Sequence, residues 1–472
     1  MAFIGRTAQL RRLTELLARA TSAADARPGA AVLIRGRRRV GKSRLVEEFV
    51  AGAGVPSVYF TASGRPPREE LRLFAAEVAA SDLPGAEVFD GVELASWDAA
   101  LRLLASVLPD SGSVVVVDEL PYLTASDPGF EGTLQKMFDR ELSRRRVLLI
   151  GIGSDLAMME ALNSYGRPFH QRATEMVVPP LSPAEVGAML SLASAEAFDA
   201  FLVTGGLPLI CAEWPPGLDR TGYLAGALAE PTSALLVSAE RALAAEFPVE
   251  AQARTVLSAV GRGERTFSNI GRAAGDLQQA SLNRSLRLLA EKRMISVDQP
   301  LSTKASPKDK RYRVSDPYLR FWLAFLGPGM PEIERGRGDR VHRRIEAGWA
   351  AWRGRAIEPV LRESVLRLPL AELLAAADVG AVGGYWTRTN DPEVDLVFAD
   401  REPVARVVHA VGAIKWREKA PFDARDLSQL VRHRAQVPGA SDETPLVVVS
   451  RAGCAVENVI AVEPAALLAA WE

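Results

Sequence analysis

A doubly wound α/β domain, opening a multidomain chain, is the fold class this sequence predicts. Three observations carry the prediction. Short apolar runs alternate with helical stretches over the first 180 residues. Four consecutive valines, Val114–Val117, suit a strand buried on both faces of a parallel sheet. A glycine-rich turn from Gly36 to Ser43 follows the first apolar run and leads into a helix.

The elements follow in order. Leu10, Leu13, Leu16 and Leu17 give a helix over 7–20 one apolar face. Ala30–Ile34 reads as a strand, 42–53 as a helix, Val55–Thr61 as a second strand and 68–108 as helical. Val114–Val117, Val147–Ile152 and Met176–Val178 complete five strands. After Pro179-Pro180 the character changes: 182–245 is Ala- and Leu-rich and helical, broken by Gly205-Gly206-Leu207-Pro208. Residues 250–315 read as helices followed by a hairpin, and an aromatic segment starts at Asp316. Gly327–Gly338 is a Gly/Pro/charge-rich boundary, beyond which helices mix with strands at Val394–Phe398, Val404–Ala413 and Leu446–Ser450. The predicted domains are 1–180, 181–248, 249–325 and 326–472.

Composition bounds the function. The chain has 472 residues, 48% of them hydrophobic, ample for several cores. With 57 basic and 58 acidic residues the net charge is −1, which excludes a globally basic nucleic-acid binder and leaves room for a local patch. Cys211 and Cys454 lie far apart and form no metal-ligand pair, as expected in a reducing cytoplasm. The start, MAFIGRTAQLRRL, lacks a signal-peptide core, and no long uncharged apolar run predicts a membrane span. A cytoplasmic protein with no membrane partner is expected.

The chemistry concentrates at Gly36-Arg-Arg-Arg39-Val40-Gly41-Lys42-Ser43, which fits the G-x-x-x-x-G-K-[ST] phosphate loop. Its glycines let successive N–H groups turn toward a phosphate, and the helix behind adds its positive end. The expected ligand is ATP with Mg²⁺, held by Gly36, Arg39, Val40, Gly41, Lys42, Ser43 and Arg44. Lys42 reaches the β- and γ-phosphates, and Ser43 ligates the metal. Asp118, ending the valine strand, is the second metal ligand, and Glu119 the general base. Ser154 is placed to sense the γ-phosphate or position the water, or else to cap the following helix. A cation is needed for transition-state charge, with Arg172 and Arg167 as candidates.

Several segments resemble the archaeal-type ATPases, a branch of the signal-transduction ATPases with numerous domains (STAND) near the AAA+ class. They are Phe3-Ile-Gly-Arg6, the phosphate loop, Val116-Val-Asp-Glu-Leu-Pro-Tyr122 and Gly153-Ser-Asp-Leu-Ala-Met-Met159. Pro168-Phe-His-Gln-Arg172 is similar to that family's Pro-Leu-Tyr-Gly-Arg motif, with His170-Gln171 in place of Tyr-Gly. Thr204-Gly-Gly-Leu-Pro208 is similar to the Gly-Gly-x-Pro turn of its helical lid. The resemblance implies a P-loop NTPase sheet with a helical lid, and places Gly5 and Arg6 near the adenine.

Ala251–Ile295 reads as a winged helix-turn-helix, with Asn283, Arg284 and Arg287 on the outward face of its second helix. Lys304, Lys308, Lys310 and Arg311 on the 304–311 wing would then touch DNA phosphates. The alternative is a packing module. The resemblance further implies a C-terminal α+β domain like the PD-(D/E)xK restriction nucleases, with Glu358, Asp395 and Lys415 at a degenerate site. Ala413 stands where that pattern has an acid, so one metal ligand is absent. Trp386 and Trp416 read as packing residues, and His342, His409 and His433 show no metal spacing.

Three functions are compatible with these features. The first is an ATP-hydrolysing switch that couples nucleotide state to DNA or protein binding. The second is an ATP-regulated, Mg²⁺-dependent nuclease. The third is an ATP-binding transcriptional regulator or scaffold.

Overall fold

The computed structural model describes residues 3–22, 27–154, 156–162, 164–246, 251–306, 308–375 and 378–472. Asp155, Pro307 and the expected boundary at 248–249 lie outside them. The chain forms two compact units, 1–180 and 181–472.

The first unit is built on β1 (Ala30–Arg35), β2 (Ser57–Thr61), β3 (Ser113–Asp118), β4 (Val147–Gly153) and β5 (Thr174–Val177). All pair in parallel, in the order β2-β3-β4-β1-β5. Helix α1 (Thr7–Thr21) precedes β1; the crossovers that parallel neighbours need are supplied by α2 (Lys42–Gly52), α3 (Pro67–Ala79), α4 (Trp97–Val107), α5 (Leu120–Ser126), α6 (Phe130–Arg140) and α7 (Leu156–Leu162). The apolar runs of β3 and β4 are buried throughout, as a sheet covered on both faces requires. On one face Phe60, Phe74, Phe89, Trp97 and Phe130 form an edge-to-face aromatic cluster; the Trp97 and Phe130 rings are 5.2 Å apart. The predicted helical stretch 68–108 is two helices, split by a 3₁₀ turn at Ala86–Phe89.

The second unit starts with α8 (Pro183–Leu190), α9 (Ser194–Thr204), α10 (Pro208–Ala212), α11 (Arg220–Ala229) and α12 (Ala234–Glu246). Next come α13 (Gln252–Gly261), α14 (Phe267–Ala273), α15 (Gln279–Glu291) and the antiparallel hairpin β6 (Ile295–Asp298)–β7 (Arg311–Val314). Then α16 (Pro317–Phe321), a π-turn at Trp322–Leu326, α17 (Gly327–Ile333), α18 (Gly338–Leu366) and α19 (Leu370–Leu373) lead to a second sheet. Its strands are β8 (Ala381–Trp386), β9 (Glu393–Ala399), β10 (Val408–Lys415), β11 (Leu446–Ser450) and β12 (Ile460–Val462), ordered β12-β11-β10-β9-β8. The β8–β9 and β9–β10 pairs are antiparallel and the others parallel. Helices α20 (Ala424–Arg434) and α21 (Pro464–Ala469) complete the unit.

Two expectations change here. The Gly327–Gly338 boundary is largely helical, because α17 begins at Gly327 and α18 at Gly338. The strand expected over Val404–Ala413 begins only at Val408; Val404 instead makes an isolated bridge to Ser302. Asp199 on α9 ties three elements of this unit together. Its carboxylate accepts from Arg353 Nη1 on α18 at 2.9 Å, from Trp416 Nε1 just after β10 at 3.2 Å, and from Arg451 after β11.

Candidate nucleotide and polar-cavity sites

The first site lies at the C-terminal edge of the first sheet, where residues following β1, β3 and β4 converge. The turn after β1 is tight. A Cβ on Gly36 would fall 2.4 Å from the Val178 carbonyl oxygen, so no larger residue fits. Arg39 and Gly41 take left-handed φ of 67° and 85°, which turns successive amides toward one point before α2 starts at Lys42. Arg6 Nη2 donates to the Val40 carbonyl at 3.0 Å and pins the N-terminal segment to this turn.

Lys42 is buried and bends back over the turn, its Nζ 2.9 Å from the Gly36 oxygen and 3.1 Å from that of Arg37. Burial pushes its pKa below the ordinary value; the Glu119 and Asp118 carboxylates pull it back up, and Arg38 adds to the lowering. Asp118 is buried at the end of β3, and its Oδ1 accepts the Glu119 N–H at 2.8 Å. Glu119 has a left-handed φ of 52° at the head of α5. Ser154, just past β4, donates its hydroxyl to the Glu119 carboxylate, 3.0 and 3.1 Å from the two oxygens.

Sequence reasoning missed Tyr59. Its hydroxyl donates to Asp118 Oδ2 at 2.9 Å, so it holds one of the two expected metal ligands. Burial, then the Asp118 charge, pushes the phenol well above its ordinary pKa, keeping it a donor. The only sequence signal is an aromatic on a strand neighbouring β3, which does not reveal the contact.

Arg172 is not brought to this edge. Thr174 pairs with Val32 and Val177 with Arg35, so Arg172 lies roughly 15 Å or more below the turn at about 3.3 Å per residue. Its Nε pairs with Asp139 at 2.8 Å, near the far end of α6. A local motif carries no register, which is why the sequence pointed there. Arg167 pairs with Glu131 Oε2 at 2.5 Å, in the first turn of α6. Arg44 pairs with Glu47 and Glu48 on the surface of α2.

The donor set suits Mg²⁺. This ion takes one or two carboxylates together with hydroxyls, waters and substrate phosphates, and the Tyr59 hydroxyl already holds the Asp118 carboxylate.

The second site is a polar cavity of about 640 Å³ wholly within the second unit. Glu358 of α18, Asp395 of β9, Lys415 of β10 and Asp426 of α20 line it, with Arg265 and Arg432. Asp395 Oδ2 accepts the Ile414 N–H at 2.9 Å. Glu358 Oε2 accepts from Arg362 Nη2 at 3.1 Å. Burial raises the Glu358 pKa to about 7, opposed by Arg362 and reinforced by Asp395 and Glu393. Burial raises Asp395 as well, against the Ile414 N–H and Lys415. Among the described residues no three His, Cys, Asp or Glu side chains could hold a metal ion together. Ala413 stands in this cavity at the position where the nuclease pattern has an acid.

The expected wing differs from a protruding loop. Leu301 is buried in the core of the second sheet beside Val394 and Val397, and its N–H donates to the Gly384 carbonyl at 2.8 Å. Arg311 is buried, pairs with Glu393 at 2.5 Å and lies 4.3 Å over the Trp386 ring. It is not a phosphate contact. Lys304, Lys308 and Lys310 are exposed, as are Asn283, Arg284 and Arg287 on α15. Trp386 donates to the Asp309 carbonyl and Trp416 to Asp199, so both indoles are packing residues.

A family model, DUF234, described as "Archaea bacterial proteins of unknown function", matches residues 322–427, the stretch that holds Glu358, Asp395 and Lys415. The chain is 23% identical over 446 residues to "Uncharacterized protein MJECL04" of Methanocaldococcus jannaschii, covering 93% of each. Among solved structures it is similar to the Walker-type ATPase paby2304 of Pyrococcus abyssi, at 19% identity and TM-score 0.48, over 68% of this chain and 96% of that one. It is also similar to the ORC2 protein of Aeropyrum pernix in its ADPNP–ADP complexes, at 12% identity and TM-score 0.47, over 72% of this chain and 95% of that one. No single described helix is long and apolar enough to cross a membrane.

Proposed function

We propose that the first unit binds and hydrolyses ATP with Mg²⁺, and that the second unit uses the nucleotide state to control binding of DNA. One observation carries this reading: the Gly36–Ser43 turn and Lys42 stand on the same sheet edge as Asp118 and a Glu119 carboxylate already held by Ser154.

The turn's amides and the start of α2 hold the β-phosphate, and Lys42 neutralises charge between the β- and γ-phosphates. Gly5 and Arg6 flank the base, in keeping with the Arg6–Val40 tether. Ser43 and Asp118 hold Mg²⁺, which when bound offsets phosphate charge. Glu119 accepts a proton from the attacking water. Ser154 keeps that carboxylate aimed, and Tyr59 does the same for Asp118.

The test is calorimetry and turnover with Mg-ATP. Lys42→Ala is expected to lose binding. Glu119→Gln is expected to keep binding and lose about 10²- to 10⁴-fold in turnover. Equal hydrolysis by wild type and Lys42→Ala would overturn the proposal.

The polar cavity supports a second role for the C-terminal region, binding rather than cleavage. Glu358, Asp395 and Lys415 meet there, and Ala413 in place of an acid favours binding over cleavage.

A further inference from the structure

The proposed ATP site needs a cation for the charge that builds on the transferred phosphoryl group, and Arg172 is too far away to supply it. The arginines around the site are mostly engaged. Arg6 binds Val40, Arg35 pairs with Glu160 at 2.6 Å, Arg44 with its helix neighbours and Arg167 with Glu131. Arg37 and Arg39 also have partners. Arg38 differs: it is exposed on the turn and makes no hydrogen bond or ion pair with any described residue.

Its position is specific. Arg38 directly follows the two residues, Gly36 and Arg37, whose carbonyls receive the Lys42 ammonium. Arg38 is therefore a second cation carried on the same turn as the carbonyl partners of Lys42, with no ion pair among the described residues. Like charges gathered on one turn are unfavourable unless an anion comes between them. Lys42 is the group expected at the β- and γ-phosphates, so the anion that would relieve the repulsion is the γ-phosphoryl group.

We propose that Arg38, carried on the phosphate turn itself, is the arginine that stabilises phosphoryl transfer, acting within its own chain. This rests on the ATP-hydrolysis reading above. Water oxygen bonds to the γ-phosphorus as the bond to the β–γ bridging oxygen breaks. ADP leaves with that electron pair, and the water proton passes to Glu119. Arg38 meets the negative charge on the non-bridging oxygens during the transfer.

The experiment uses the full chain with Mg-ATP, Mg-ADP, and Mg-ADP with aluminium fluoride as a transition-state mimic. Arg38→Ala and Arg38→Gln are expected to lower kcat by about 10³-fold. They should leave Mg-ADP affinity unchanged and abolish the fluoride-dependent tightening, with Arg38→Lys recovering part of it. Wild-type turnover per chain should not depend on protein concentration. Three results would overturn the proposal. One is turnover by Arg38→Ala equal to wild type. Another is loss of Mg-ADP affinity in parallel with kcat, which would mark a role in building the turn. The third is a specific rate that climbs with protein concentration, which would mark an arginine from another copy. Failure of the wild type to take up any nucleotide would overturn the ATP reading itself, and is distinguishable from these because it needs no variant.

Discussion

Glu358 is expected to keep its proton up to neutral pH. Its folded pKa of about 7 lies above the ordinary carboxylate value, chiefly through burial. For a raised value the sign is fixed. The folded chain holds a proton that the unfolded chain has released, so the contribution is fully present below the ordinary value and is lost as pH rises through 7. Glu358→Gln keeps an oxygen for Arg362 and cannot ionise. It should match wild type in stability near pH 5 and exceed it at pH 8, by up to about 3 kcal/mol. Urea denaturation of both proteins at the two pH values checks this; a stability difference that does not change with pH would refute it. At this scale legibility depended on distance along the chain. Lys42 and Ser43 are set by eight consecutive residues, so spacing alone gave them. The bond from Tyr59 to Asp118 crosses between strands, and no local pattern encodes it. Arg172 failed for the matching reason, since the register of β5 against β1 sets its height.

Between elements, the Asp199 carboxylate links α9 to α18 and to the ends of β10 and β11. Arg353 and Asp199 are both nearly fully buried, with side-chain exposures of 3% and 8%. Removing the acid strands a guanidinium in a dry environment, which costs more than the pair itself contributes. Asp199→Ala should therefore destabilise the second unit by about 3–5 kcal/mol in equilibrium unfolding. A loss below about 1 kcal/mol would show that Glu418, which also reaches Arg353 at 3.0 Å, is partner enough. Strands rich in valine were legible as elements because a two-faced apolar run has few other uses. The stretch 327–338 was misread because its glycines and prolines mark a boundary in isolation. In the folded unit the helical run continues from the π-turn through Gly327 and Pro328, and Pro331 stands inside α17.

Across the whole chain, net charge gives no reason to expect general affinity for nucleic acid, so the proposed DNA binding would have to come from one face. Arg284 and Arg287 on α15 are the exposed pair that the helix pattern indicated. Replacing both with Ala should weaken duplex binding about equally for all sequences and lower the salt slope by about 2, if each meets one phosphate. Fluorescence anisotropy across a salt series, with and without Mg-ATP, measures both this and the nucleotide coupling. Unchanged binding would direct attention to protein partners. The hairpin behind α15 adds a consequence. Leu301 is embedded beneath the second sheet, and Arg311 is clamped between Glu393 and an indole. The carbonyl of Arg265, whose side chain lines the polar cavity, receives the Tyr312 N–H of the same hairpin. Cargo held on α15 and a molecule lodged in that cavity would therefore both bear on the same hairpin.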